Sequence, residues 1–331
     1  LITSNTLSSS YVIKRLKMQK ITHQFFPIDT NFISKKFINY WKPTRAFFID
    51  SEIWPNIILN LSEKKIPIIL VNGRITKRSF NRWNYFSNFS KKIFSRLNLC
   101  LASSPESLKY LKKLQVKNVK YIGNLKFSVS EDENYKENIQ LKNFLKKKKV
   151  WCASSTHSPE EIFCANVHRE LKNKNKNILT IIIPRHIERT NQIKNDLKNL
   201  NLKVHLDEPQ KQIDKNTDIY LVNSYGKTKF FFNNTKNVFL GGSIVKHGGQ
   251  NPLEAARLGC NILSGPHVEN FKDVYKFLEK NRISQKISNQ VNLVNNLNKL
   301  FYRKKQTTKI QRKIKLIGSK ILERSYKEIN F

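Results

Sequence analysis

The chain has 331 residues, enough for two domains that each bury a core. Its 61 Lys and Arg stand against 24 Asp and Glu, and the net charge of +37 favours polyanionic partners: nucleic acid, an anionic membrane or a phosphorylated substrate. No stretch is long and apolar enough to read as a membrane span or a secretory leader, and Cys100, Cys152, Cys164 and Cys260 form no CxxC pair or metal spacing, so they read as reduced, mostly buried thiols of a cytosolic compartment.

Taken in order, the first half alternates short apolar strands with helices and polar loops, the rhythm of a parallel α/β sheet. Ile2 lies in an opening strand, Ser8–Lys17 reads as a helix, and His23–Phe26 as a strand closed by Pro27. Ala46–Asp50 is an apolar strand followed by Ser51-Glu52-Ile53-Trp54-Pro55, with Pro55 suited to the first turn of a helix reaching Leu61. Pro67–Val71 is a strand ending in Asn72-Gly73-Arg74, and Leu99–Ala102 precedes Ser104-Pro105-Glu106, a helix start. Val119–Ile122 is the last strand of this half.

Residues 128–148 are polar and lysine-rich, with acidic Glu131, Asp132 and Glu133. They connect two expected domains, 1–135 and 149–331, through a linker at 136–148. The second half restarts at Val150–Ala153, and Ser158-Pro159-Glu160-Glu161 reads as an N-cap, a first-turn proline and a capping-box glutamate. Ile178–Ile183 has the near-continuous apolar run of a buried parallel strand and ends at Pro184-Arg185-His186. Ile219–Val222 leads into Asn223-Ser224-Tyr225-Gly226, and from Asn292 the tail is helical and basic. The basic runs Lys146–Lys149 and Arg303–Lys305 read as solvated faces.

The stretch Asn237–Phe271 stands apart, because six of the ten glycines fall between Gly241 and Gly265. It reads as strand, glycine loop, helix, strand, with Asn251 as N-cap, Pro252 at the first helical position, Glu254 at the third and Gly259 beyond the helix end. Such a turn is expected to offer free N–H groups and a positive helix end at the carboxyl edge of a parallel sheet, where anionic ligands bind. Ser243 and the glycine N–H groups are candidate donors to a phosphate or carboxylate, with His247 and His267 nearby. Arg185 offers a planar fork of donors suited to phosphate. Glu254 has two compatible readings, a capping carboxyl and an acceptor for ribose hydroxyls. Ser154, Ser155, Thr156 and His157 form a polar loop after a strand, and Glu52 follows another, two residues after Asp50.

The run GGSIVKHGGQNPLEAARLGCNILSGPHVENF resembles the signature GGSxxxxGGxNPLEPAxxGxPxxxGPxxxNF of 3-deoxy-D-manno-octulosonic acid (Kdo) transferases, with Ala255 and Asn261 at two of its prolines. Further matches follow in family order: IDSEIWPN at 49–56, VNGRITKRSF at 71–80, GNLKF at 123–127, ASSTHSPEE at 153–161, IIIPRH at 181–186 and NSYGKT at 223–228. The resemblance implies an α/β fold of two Rossmann-like domains facing a cleft, the GT-B glycosyltransferase architecture. It implies transfer of Kdo from CMP-Kdo to a lipid A precursor, inverting and without metal or other cofactor, at the cytoplasmic face of the bacterial inner membrane. The basic charge suits an acceptor with phosphates and an anionic leaflet.

By the same resemblance Glu52 and Lys126 are transition-state stabilisers, and Pro184, Arg185, Tyr225, Gly226, Lys227, Asn251, Pro252, Leu253 and Glu254 bind CMP. The family pattern has Met-Gly-Glu where this chain has Tyr225-Gly226-Lys227, so backbone contacts are expected there rather than side-chain ones. Arg74, Ser155, His157, Ser243 and His247 are candidate donor or acceptor contacts. The general-base Glu of the family lies in a VSxGE-like segment that no residue here matches, so the chain is expected to be N-terminally truncated, without anchor and first strand, and impaired in turnover. Two alternatives stand beside this reading: another GT-B transferase using a UDP-sugar, and a basic nucleic-acid-binding protein. The latter has the charge without a recognisable nucleic-acid module.

Overall fold

The computed structural model describes residues 1–129, 138–208, 212–303 and 307–330. The first elements in order are β1 (Ile2–Ser4), α1 (Leu7–Arg15), β2 (His23–Phe25), α2 (Asn31–Trp41), β3 (Ala46–Ile49), α3 (Pro55–Glu63), β4 (Ile68–Gly73), α4 (Lys77–Tyr85), α5 (Ser87–Phe94), β5 (Leu99–Ala102), α6 (Pro105–Lys113) and β6 (Val119–Tyr121). They are followed by α7 (Ile139–Lys146), β7 (Lys149–Thr156), α8 (Glu160–Lys174), β8 (Ile178–Pro184), α9 (Thr190–Asn199), β9 (Val204–Leu206), β10 (Ile219–Leu221), α10 (Thr228–Thr235) and β11 (Asn237–Leu240). The last are α11 (Leu253–Arg257), β12 (Asn261–Ser264), α12 (Lys272–Lys280), β13 (Ser284–Lys286), α13 (Gln290–Tyr302) and α14 (Thr307–Ile329). Several helices start where a short polar side chain takes a first-turn N–H: Thr6, Thr30, Thr76, Ser104, Asn138 and Asn289 each accept such a bond.

The chain divides into two α/β units. The first is Leu1–Leu125 with the chain from Ile321 onward. Its sheet is parallel in the order β3-β4-β5-β6, with β1 and β2 paired separately. Alternation along the strands sends side chains to opposite faces. On one face Ile68 and Leu70 of β4 and Cys100 and Ala102 of β5 pack with Ile38, Ile58, Leu61 and Leu111 from α2, α3 and α6. On the other face Ile69, Val71, Leu99 and Leu101 pack against Ile122, Leu125 and Ile329. The C-terminal end of α14 is thus part of the first unit, and Lys120 and Arg45 hold it through Glu328 and the Ile329 carbonyl. The expected boundary at 135 differs from this division for that reason. The first unit ends at Leu125 and recovers its second covering layer from beyond residue 320. Within the expected linker, 138–148 includes α7, whose Leu141 and Leu145 are buried, while 136 and 137, like Glu131, Asp132 and Glu133, lie outside the described residues.

The second unit, Lys126–Lys320, is built on seven parallel strands in the order β13-β12-β11-β7-β8-β10-β9. β8 is buried along its whole length, as its apolar run requires. Its one polar side chain within the run, Thr180, bonds His168 of α8, which also contacts Asp218, and Lys172 donates to the same Asp218 carboxyl. Burial pushes the Asp218 pKa up, but the bonds from His168 and Lys172 outweigh it and leave the pKa below the usual carboxylate range. From β7 the chain moves one way to β8, and β11 lies on the other side of β7. The strand order reverses there, which makes the carboxyl ends of β7 and β11 the switch point of the sheet.

Candidate functional site

At the switch point, β7 ends in Ser154, Ser155 and Thr156 and is followed by His157 and a cis Ser158-Pro159 bond. Helix α8 then opens directly with Glu160 and Glu161. Ser158 makes no cap bond; Glu160 reaches back instead, and the His157 N–H donates to its Oε2 at 3.0 Å. Glu160 is fully buried. Its carboxyl group also accepts the N–H bonds of Gly242 at 2.6 Å, Ser243 at 3.0 Å and Ile244 at 2.9 Å. The glycine loop after β11 is therefore a nest of N–H groups already filled by a side chain of its own unit.

This corrects the expectation that those N–H groups and Ser243 stand open to an anionic ligand. Ser243 is wholly buried; its hydroxyl donates to the Leu240 carbonyl and accepts from Gly265 N–H. The expected helix is also shorter, because α11 covers five residues and the Asn251 amide oxygen takes the Leu253 N–H. Glu161, the expected capping-box residue, is likewise buried and holds Thr156 and Arg189.

Two glycines owe their place to close approach. A Cβ on Gly241 would sit 2.5 Å from the Ser155 carbonyl oxygen and 2.6 Å from Thr156 Cα, and one on Gly265 would sit 2.2 Å from the Ser243 carbonyl oxygen. The loop so packed carries His247 to the ring of His157, stacked at 4.4 Å between centroids, and His186 meets His157 edge-on at 5.7 Å. Gln250 Nε2 lies 3.3 Å from His157 Nε2. Burial, then the adjacent His247, lower the His157 pKa, against an opposing pull from Glu160.

The remaining candidates of this unit follow neighbouring strands at the same edge. Arg185 and His186 are exposed just beyond β8, with Pro184 buried beneath them. Beyond β10, Tyr225 is exposed and Gly226 has a positive φ of 82° with open space where a Cβ would stand. Lys227 turns away from a ligand role, since its ammonium pairs at 2.5 Å with buried Asp207, which also accepts from the Tyr220 hydroxyl. Ser224, which the sequence did not single out, has a solvent-shielded hydroxyl with no hydrogen-bond partner. Glu254 is half-buried and accepts from Thr228 Oγ1 at 3.1 Å, which ties the segment after the glycine loop to the start of α10. Asn251 is exposed beside it, Pro252 and Leu253 are buried, and His267 lies after β12 with its N–H on the Ser243 carbonyl.

In the first unit, Glu52 is exposed in the turn after β3, ahead of α3 rather than in its first turn. Its Oε2 accepts from Trp54 Nε1 at 2.7 Å and Asn5 Nδ2 at 3.0 Å. Asn72, unassigned from sequence, is buried at φ 55°; its amide donates to Asp50, and its carbonyl accepts the Leu125 N–H at 2.9 Å. Arg74 N–H donates to the Asp50 carbonyl, and the Arg74 carbonyl accepts from Ser51. Asn72 thus fixes the start of the Gly123–Phe127 motif. Lys126 follows in that motif, exposed and counted with the second unit, where its carbonyl accepts from Arg257. Among the described residues no group of three or more His, Cys, Asp or Glu is arranged to hold a metal.

Residues 1–129 match the family model of 3-deoxy-D-manno-octulosonic-acid transferase. The protein of that name from Rickettsia bellii is 32% identical over 299 residues, which cover 90% of this chain and 71% of that one. The chain belongs to the Kdo transferase family. The Rickettsia typhi member is 33% identical over 306 residues, and the chain spans 65% of that relative's length. In fold, the chain is similar to the crystal structure of UDP-GlcNAc 2-epimerase from Neisseria meningitidis bound to UDP-GlcNAc. The TM-score is 0.60 over 98% of this chain and 91% of that one, at 13% identity. The Kdo transferase chain is thus a mixed α/β protein of parallel sheets with GT-B type neighbours.

Proposed function

We propose that the second unit binds CMP-Kdo and that the chain serves the transfer of Kdo to a phosphorylated lipid A precursor, lipid IVA, in lipopolysaccharide core assembly. The observation that carries the donor reading is the Thr228–Glu254 hydrogen bond. It joins two of the three segments that match the family's CMP motif, at the same sheet edge as the third. Pro184 shapes the turn that presents Arg185, whose guanidinium suits the CMP phosphate. Tyr225 and Gly226 contribute backbone groups, and Glu254 faces the ribose hydroxyls, with Asn251 beside it. Ser155, His157 and His247 line the donor side. Lys126 stabilises charge on the departing CMP phosphate, and Glu52 acts on the same transition state. The displacement at the anomeric carbon inverts configuration and needs no metal, so EDTA is expected to leave CMP binding unchanged.

Arg74 is assigned to the acceptor or the Kdo carboxylate. The setting is the cytoplasmic face of the inner membrane. Exposed Tyr85 at the end of α4 and Phe86 between α4 and α5, with Arg78 and Arg82 on α4, support contact with an anionic leaflet.

Calorimetry of CMP against UMP and UDP tests the donor assignment. CMP is expected to bind selectively, and Arg185→Ala and Glu254→Ala to weaken it about tenfold each, the worth of one charged hydrogen bond. Preference for UDP would favour a UDP-sugar transferase instead. Equal or absent binding by a chain with an intact thermal transition would refute the donor assignment.

A further inference from the structure

The basic runs read from sequence as solvated faces meet in one place. Lys146 at the end of α7, Lys148 just before β7, Lys149 at its start, Lys236 before β11 and Arg303 after α13 line a single cavity of about 240 Å³ in the second unit. Its strand residues are the first of β7, β11 and β12, so it lies at the amino edge of the parallel sheet, opposite the edge that carries the CMP motifs. No carboxylate is among its described lining residues. The polar contacts of the ammonium groups include neutral acceptors: Lys148 donates to the Lys215 carbonyl and Lys149 to the Tyr302 hydroxyl, both in exposed bonds, and Lys236 to the Leu258 carbonyl in a partly buried one. Thr235, the last residue of α10, adds an independent sign. It lines the same cavity, it is more than nine-tenths buried at 7% exposure, and its hydroxyl has no hydrogen-bond partner.

A buried hydroxyl without a partner costs about 1–3 kcal/mol. Like charges drawn together along one wall repel. A multivalent anion relieves both, since it accepts from the hydroxyl and neutralises the ammonium groups. Size narrows the choice. About 240 Å³ lies below the range of about 300–1,000 Å³ for drug-sized ligands. We propose that this cavity is a second anion site, separate from the CMP motifs, that takes a small multivalent phosphate of the pyrophosphate class.

Inorganic pyrophosphate is the probe, titrated calorimetrically into the full chain at about physiological salt, where exposed charges are screened beyond about 8 Å. One saturable site is expected, undisplaced by CMP. The double variant Lys148→Gln/Lys149→Gln should weaken it about tenfold or more, and Thr235→Val should weaken it several-fold. Arg303→Gln, at an exposed position, is expected to fold as the natural chain does and should also weaken it. CMP affinity should be unchanged in Thr235→Val and Arg303→Gln; the thermal transition should be unchanged in Arg303→Gln and raised in Thr235→Val, which removes the partnerless hydroxyl. Three results would overturn the proposal: no saturation, equal binding by all variants, or equal occupancy by sulfate. Capture on vesicles containing phosphatidic acid without binding of free pyrophosphate would overturn it as well, since the site would then belong to a lipid headgroup.

Discussion

At the scale of single residues, the centre of the second unit is Glu160. Its fully buried carboxyl group gathers N–H donors from His157, Gly242, Ser243 and Ile244. Glu160→Gln puts an amide N–H₂ among those donors and should lower stability by about 2–3 kcal/mol. Urea denaturation measures this; an unchanged midpoint would remove Glu160 as the organiser of the loop. His157 gives a pH signature. Its folded pKa lies below the unfolded value of about 6.5, so its contribution to stability is complete above that value and is lost as pH falls through the folded one. The groups around it are His247, His186, Glu160 and Glu161. Stability measured between about pH 7 and 5 should fall with acid more steeply in the natural chain than in His157→Asn, and parallel slopes would refute this. The sequence pointed to this loop through its glycines, but not to Glu160 as its occupant. The N–H donors and the carboxyl that fills them are about eighty residues apart, and a capping motif after a strand reads locally, with nothing to reveal a partner from another strand.

At the scale of elements, the glycines divide by cause. Gly241 and Gly265 are places where backbone meets backbone, so Gly241→Ala cannot be relieved by a rotamer change. It should cost at least about 2 kcal/mol by the strain of overpacking, whereas Gly226→Ala meets open space and is charged only for its positive φ. Comparing the melting temperatures of the two variants checks the order. The long buried strands were legible: β5 and β8 fall where continuous apolar runs put them, within a residue, because both faces of a parallel strand are covered. The edge strands β9 and β13, three residues each, were not, since an edge position with one covered face leaves no apolar run. Helix α2 was missed too; it buries only Ser34 and Ile38, and its exposed Phe32 and Tyr40 blur the 3.6-residue period.

At the scale of the molecule, the four cysteines sit inside the two cores, and all are free and buried. Burial pushes the thiols of Cys100 and Cys260 up to about 12, and those of Cys152 and Cys164 well above the ordinary value. Iodoacetamide at about pH 8 should therefore leave the folded chain unlabelled and modify all four thiols in denaturant, as mass spectrometry would register. One thiol labelled quickly in the folded chain would refute its burial. The division into two units, by contrast, was legible only in outline. Composition marked the change near residue 128, but nothing in the basic tail announced that Ile329 covers the first sheet. That return has a consequence for how the protein is made. A chain leaves the ribosome amino end first, at about 5–20 residues per second, so β3 to β6 emerge on the order of 10–40 s before the helix end that covers Ile69, Val71, Leu99 and Leu101. The half synthesised first is the half finished last, and during that interval Ile122 and Leu125 meet one face of its sheet without Ile329.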